Sequence, residues 1–466
     1  MSMKRESWEQ TQSRMVALGE DLVARARKAG ADVAEAVVGE GSHLSAKVRM
    51  RAPELVEEAG SRGVGMRVMV GQRVAVSTTS DLTRAGLARL VEDAVELARL
   101  SEPDAFAGAP DPSQLSSPEQ HAWLDLHDER IDGIDGEAAL AHARRGEAAA
   151  LDFDPRITNS EGATFGRASG ARAVVTSGGF RGVTRGTYAS LSVHPVADDV
   201  TEGGAAKKRS GYYWTSKRHH EALEADDVVG REAARRTLAK LGARKVETQE
   251  VPVIFDPDAA RSLVGLLAGC IQGGSIWRRS SYLLDRLGSR VASDLVTIVD
   301  DPLIPRGPGS RAYDGEGLLS RRNVVVDGGT LRSYLLDSYS ARKLGLESTA
   351  SASRSGSGSV SPSTSNFVLQ PGSHTPEQIL GATERGFYVT EMMGFGFNAV
   401  TGDFSRGASG FWVEKGERTF AVSEVTISLD LDRLLQRIDM VGDDLDLRSS
   451  VASPTLRVSA MTLAGR

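Results

Sequence analysis

Two stretches of this 466-residue sequence hold residue types and spacings that could do chemistry. Asp300, Asp301, Asp314 and Glu316 fall within a short span, and clustered carboxylates are the oxygen donors that hard cations take. Turns select Asp beside Pro and Gly for a simpler reason, bonding of the carboxylate to nearby backbone, so the turn reading is the expectation here. The second stretch is Thr401 to Glu414, TGDFSRGASGFWVE. Its glycines permit tight turns or close backbone approach. Asp403, Ser405, Arg406 and Ser409 supply hydrogen-bonding groups, and Phe411 and Val413 alternate with Trp412 and Glu414 as in a strand. A polar, Gly-rich loop feeding a hairpin through Lys415–Gly416 is expected. Ser409 is not an elbow nucleophile, because Gly407-Ala408-Ser409-Gly410 is followed by Phe411 where the elbow needs glycine; a hydrogen-bonding turn serine is expected. His219 and His220 are adjacent and cannot share a helix face, so a solvated pair in a connector is expected rather than a chelate.

The elements that must position these groups read as an α+β chain. Apolar spacing predicts helices over Val16–Ala29, Leu82–Leu97, Ala138–Ala150 and Asp226–Leu241. Strands are predicted at Val33–Val38, Leu44–Met50, Gly65–Val70, Val74–Ser77, Ala163–Phe165, Ala171–Thr176 and Thr187–Val193. Residues 103–118 and the serine-rich Ser348–Ser365 read as loops, the latter flexible because it can bury little apolar area. After Val251–Phe255, a buried strand, Asp256 caps and Pro257 starts an apolar helix. Asp430 is a second cap, for a helix through Ile438. A boundary near residue 245 gives two domains, a mixed helix and hairpin domain over 1–245 and a largely antiparallel β domain with packed helices over 246–466.

Composition excludes several classes. A formal net charge of −6 leaves no electrostatic footprint for nucleic acid. The single cysteine, Cys270, rules out an intramolecular disulfide and lies in an apolar run as a core residue. The polar N-terminus and the absence of a long apolar segment point to no secretory signal, no membrane span and a cytoplasmic protein. No glycine pattern between strand and helix suits a nucleotide.

The C-terminal half resembles the TldD/TldE family, in its TldE (PmbA) branch. The resemblance rests on VPVIFDPDAARSLVGLLAGCIQG from Val251, SSYLLDRLG from Ser280, DDPLIP from Asp300 and YDGEG from Tyr313. It continues in LLDSYSARKLGL from Leu335, VTEMMGFGFNAVTGDFSRGASGFWVEKGE from Val389 and MTLAG from Met461. The resemblance implies zinc peptidase chemistry, in which a helix of the TldD branch carries HExxxH, two histidines holding zinc and the glutamate polarising water. Here the matching helix reads LVGLLAGCIQGG from Leu263, without histidine or acid. STASA from Ser348 departs from a TTGNA-like family sequence.

The implied role is therefore a non-catalytic subunit with no cofactor and no catalytic or metal-ligating residue of its own. It would pair as a heterodimer with a TldD-like zinc subunit and form a cleft for unfolded or small peptides. Asn398, Thr401, Asp403, Ser405, Arg406, Ser409, Phe411 and Trp412 are its candidate cleft or partner-facing residues, with Phe411–Glu414 as an edge for an extended peptide or the partner's sheet. A homodimeric binding or regulatory protein, and a hydrolase built on the Asp300 to Glu316 carboxylates, are the alternatives.

Overall fold

The computed structural model describes residues 6–200 and 204–465. It opens with α1 (Trp8–Lys28), closed at its N-terminus by a capping box in which Ser7 and Gln10 each bond the other's backbone amide. The cap starts the helix two turns before the apolar spacing becomes visible. There follow β1 (Val33–Arg49), β2 (Ala52–Val70), β3 (Arg73–Thr79), α2 (Arg84–Leu100), α3 (Glu129–Asp132) and α4 (Gly136–Leu151). The N-terminal region is completed by β4 (Ile157–Thr176), β5 (Arg181–Val200), β6 (Ala206–Ser210), β7 (Tyr213–Lys217) and α5 (Asp226–Leu238). Its seven strands form one antiparallel sheet in the order β3-β2-β1-β4-β5-β6, with β7 also on β5.

The apolar pattern divides β1 into two strands, yet its ladders with β2 and β4 run on through Gly39 to His43. The break in pattern marks a gap in what covers the sheet. Ala34, Ala36 and Val38 lie under α1 and α2, Leu44, Ala46 and Val48 lie with α4 and α5, and the interval holds only glycine and polar residues, Gly39, Glu40, Gly41, Ser42 and His43.

The C-terminal region begins with β8 (Gln249–Phe255), α6 (Pro257–Cys270) and α7 (Gly273–Trp277), then β9 (Ile298–Asp300), β10 (Asn323–Asp327), β11 (Thr330–Leu331) and α8 (Ser338–Leu344). Next come β12 (Ala352–Arg354), β13 (Val360–Pro362), β14 (Phe367–Leu369), α9 (Pro376–Gly381) and β15 (Arg385–Met393). It ends with β16 (Asp403–Glu414), β17 (Glu417–Asp430), α10 (Leu431–Gln436), β18 (Ile438–Val441), β19 (Val451–Ala452) and β20 (Leu456–Ala464). In its main sheet, β17-β16-β15-β8-β20, the last strand pairs back onto β17 through Thr426–Ser428 and Thr462–Ala464, so the sheet closes into a barrel. Only the β8–β15 pairing in that ring is parallel.

Asp256 caps α6 as its sequence predicts, accepting from the Ala259 amide at 2.8 Å. Leu263, Val264 and Leu267 of α6 pack into the core with Phe255, Phe387 and Ile427. Asp430 likewise caps α10, through the Arg433 amide. Cys270 is fully buried. No helix among the described residues is long and apolar enough to cross a membrane.

The serine-rich stretch is not a flexible loop. β12 and β13 pair as a hairpin, and Ser351, Ala352, Arg354, Ser365 and Asn366 are buried. Its order comes from polar contacts rather than apolar area: Arg354 donates to the Gly315 carbonyl at 2.6 Å, and Asn366 Nδ2 donates to Ser310 and to the Asp301 carbonyl.

Candidate functional site

The residues singled out around Thr401 do not converge on one point. β16 starts at Asp403, so the expected Gly-rich loop is largely strand; only the reversal at Lys415–Gly416 is the turn the sequence predicts. Gly402 takes φ +84°, and a Cβ on Gly410 would lie 1.9 Å from the Tyr388 carbonyl, so one glycine is a turn residue and the other admits a neighbouring strand. Asn398 caps its own turn through the Val400 amide, and Thr401 donates to Asp403 at 2.6 Å, both at the surface. Ser405 is exposed, whereas Ser409 is buried inside the strand rather than in a turn. Trp412 is buried, with its Nε1 donating to Glu414.

Phe411–Glu414 is not an edge. Phe411 is flanked by Tyr388 on β15 and Ala421 on β17, so no backbone is left there for an added strand. A signature dense in alternating apolar residues suits a central barrel strand as well as an edge, and local sequence does not distinguish them.

Arg406 of this group hydrogen-bonds to α6, donating to Ser262 Oγ at 3.2 Å. Ser262 lines a groove of about 530 Å³ along the outer side of α6, with Ala259, Met392, Met393, Tyr212 and Ser449 around it. Farther along the helix, a Cβ added to Gly265 or Gly269 would meet nothing within 4 Å. The turn between β15 and β16 stands nearby in sequence, with Phe395 99% exposed.

This helix does not fit a zinc centre. After Asp258 it carries no histidine or carboxylate, and among the described residues no group of three or more His, Cys, Asp and Glu side chains is placed to hold a metal. The Cys270 thiol is pushed up to about 11 by burial, far from the thiolate a metal or nucleophilic role requires.

The carboxylates near residue 300 act as backbone acceptors. Asp300 accepts from the Ser365 amide, and Asp301 from that of Leu303. Asp314 accepts from the amides of Glu316, Leu318 and Ala352, and Glu316 from that of Ser338. Asp300, Asp314 and Glu316 are no more than 2% exposed. Asp301 and Asp314 thus play the turn role the sequence suggested, whereas Asp300 and Glu316 accept from the distant Ser365 and Ser338 amides.

Glu316 also belongs to a charge network that sequence reading missed. Glu35 on β1 sits between Arg67, at 2.7 and 3.1 Å, and Arg354 of the β12–β13 hairpin, at 2.7 Å. Arg67 in turn lies 3.9 Å from Glu316. Burial alone would raise the Glu35 carboxyl, but Arg354 and Arg67 hold it at about 2. Burial, reinforced by the Asp314 charge, pushes Glu316 up to about 7. The network spans residues far apart in the chain, so no local pattern announces it. His219 corrects another expectation: it is buried, with Nε2 2.9 Å from the Asp125 carbonyl.

Comparison with known proteins places this geometry. Domain models of the PmbA/TldA metallopeptidases match residues 34–98 (domain 1), 129–241 (central domain) and 248–465 (C-terminal domain). The chain belongs to the PmbA/TldA metallopeptidase family. Metalloprotease PmbA of Escherichia coli O157:H7 is 36% identical over 437 residues, 93% of each chain. A metalloprotease TldD homologue of Haemophilus influenzae is 27% identical over 255 residues, 51% of this chain and 53% of its own length. Among solved structures, a protein of Bacteroides thetaiotaomicron described as a modulator of DNA gyrase superposes with a TM-score of 0.88 at 26% identity, covering 99% of this chain and 100% of its own. TldE from Thermococcus kodakarensis shares the fold, with a TM-score of 0.85 at 21% identity over 96% of this chain and 100% of its own. The PmbA/TldA C-terminal domain thus contains both α6 and the closed barrel that carries it.

Proposed function

We propose that this chain is the PmbA/TldE-type, non-catalytic subunit of a cytoplasmic zinc metallopeptidase, paired with a TldD-like subunit that supplies zinc, base and water. The observation that carries this reading is the open side of α6. It presents Ser262, Gly265 and Gly269 on the helix where the family resemblance places HExxxH in the TldD branch. A small-residue face beside a groove suits a cleft wall and offers nothing to polarise water. Unfolded or small peptides are the substrates this reading assigns to the shared cleft.

The test uses purified chain alone, a purified TldD-like subunit alone and the two mixed. Co-elution as a heterodimer, zinc confined to the partner, and cleavage of an unfolded peptide that rises on mixing are the expected results. Stoichiometric metal in this chain, or undiminished cleavage by it without the partner, would overturn the assignment.

A further inference from the structure

A second cavity, of about 230 Å³, opens where α5 faces the barrel. It shares Tyr212, Thr390 and Glu391 with the α6 groove. Its walls carry four cations, Arg235, Arg236, Lys240 and Arg418, against two acids, Asp256 and Glu391. Three of the cations have carboxylate partners: Arg235 bonds Glu232, Arg236 bonds Glu232 and approaches Asp258, and Lys240 meets Glu391 at 2.6 Å. Arg418 makes no ion pair among the described residues. Its guanidinium rests over the rings of Tyr388, at 4.5 Å, and Phe411, at 5.8 Å.

Tyr388 is only 7% exposed, and its hydroxyl, which is open to the cavity's water, makes no hydrogen bond to a described residue. With the other three cations paired, the cavity presents the exposed Arg418 guanidinium, free of an ion pair, and a hydroxyl donor, between aromatic rings.

We propose that this cavity binds a carboxylate through the Arg418 guanidinium and the Tyr388 hydroxyl, supplied by a free amino acid or by the C-terminus of a peptide. The peptide source rests on the cleft reading above, whereas the carboxylate chemistry does not. Asp256 favours a carboxylate over a phosphate. One of its oxygens is spent on the Ala259 amide, and burial pushes its carboxyl up to about 7, so near neutrality it can share a proton with a bound carboxylate. A phosphate dianion would bring a second charge against it.

Calorimetric titration of the purified full chain, without partner or zinc, tests the site. The probes are alanine, acetyl-dialanine, acetyl-dialanine amide and inorganic phosphate. Saturable binding of at least one free carboxylate is expected, with the amide weaker by about tenfold or more for loss of a charge-assisted pair. Arg418→Gln weakens binding by about tenfold, and Tyr388→Phe by roughly threefold, for loss of a neutral hydrogen bond. Tyr388→Phe removes a hydroxyl without a partner, so its unfolding midpoint stays at or above the parent's; this separates lost binding from lost folding. Tighter acetyl-dialanine identifies the peptide C-terminus as the source, and tighter alanine the free amino acid. No binding of either carboxylate, equal binding of the amide, equal or tighter binding of phosphate, or full binding by both variants overturns the proposal. Because no peptide is cleaved, a negative result leaves the zinc-partner reading standing, and failure of that reading leaves the binding result standing.

Discussion

Replacing Glu35 with glutamine should loosen the β12–β13 hairpin from the N-terminal sheet. The substitution keeps the shape but removes the charge that two guanidiniums share, in a place where the side chains of Glu35, Arg67 and Arg354 are 1%, 9% and 1% exposed. Breaking a buried pair by removing one partner costs about 3–5 kcal/mol, because the other charge stays buried. Arg67 keeps Glu316 at 3.9 Å, which places the cost at the lower end, about 3 kcal/mol. The pKa agrees: a fall from 4.5 to about 2 in a fully buried carboxyl corresponds to about 3 kcal/mol. This stability is present above the unfolded value of 4.5 and lost as pH falls through about 2. Hydrogen exchange read by mass spectrometry gives the assay. If opening of the hairpin follows the lost energy, amides across 352–362, such as the bond from Ser355 to the Ser359 carbonyl, exchange about a hundredfold faster at neutral pH. Exchange within about threefold of the parent, with an unchanged urea midpoint, would refute the argument. The triple replacement of Glu35, Arg67 and Arg354 by methionine should be closer to neutral than Glu35→Gln, since no guanidinium is then left buried without Glu35, and Glu316, which loses Arg67, is held toward its neutral form by burial.

Glu316 predicts the opposite pH slope. Its folded value, about 7, lies above the ordinary 4.5, so ionising it costs stability as pH rises from 4.5 through 7. Glu316→Gln should flatten that loss by roughly 3 kcal/mol, read from urea midpoints at pH 5 and pH 8. Gly410→Ala forces a methyl against the Tyr388 carbonyl and should lower stability by about 2 kcal/mol or more, seen as a lower thermal midpoint. Leu267→Ala, at a fully buried position of α6, should cost about 2–5 kcal/mol through the cavity it leaves, read by urea unfolding.

Local chemistry made much of this fold legible. Asp256 and Asp430 announced their helices because capping depends on neighbouring residues. The helical face Leu87, Leu90, Val91, Ala94 and Val95 appears as expected in α2. Strand length was harder: Gly39 to His43 carry no apolar pattern, yet β2 and β4 hold β1 on both sides there. The serine-rich stretch misled for a related reason, since Arg354 obtains its partner from β1, more than three hundred residues earlier. The candidate cleft was legible only in outline. The missing donors of α6 can be read directly, but the groove beside it requires Tyr212 and Ser449 to be brought to Ser262 by the folded chain.

The closed barrel sets an order on folding. β20 is the last strand of the chain, yet it lies between β8, the first strand of the barrel, and β17. The ring cannot close on a growing chain until β20 itself has been made. The seven-stranded sheet has no such dependence for its own backbone pairing, all of which lies before α5. During synthesis the N-terminal sheet can assemble first, while β8 and β17 wait with an open edge for β20. Loss of β20 would therefore leave a seam unsewn, exposing strand edges to other chains.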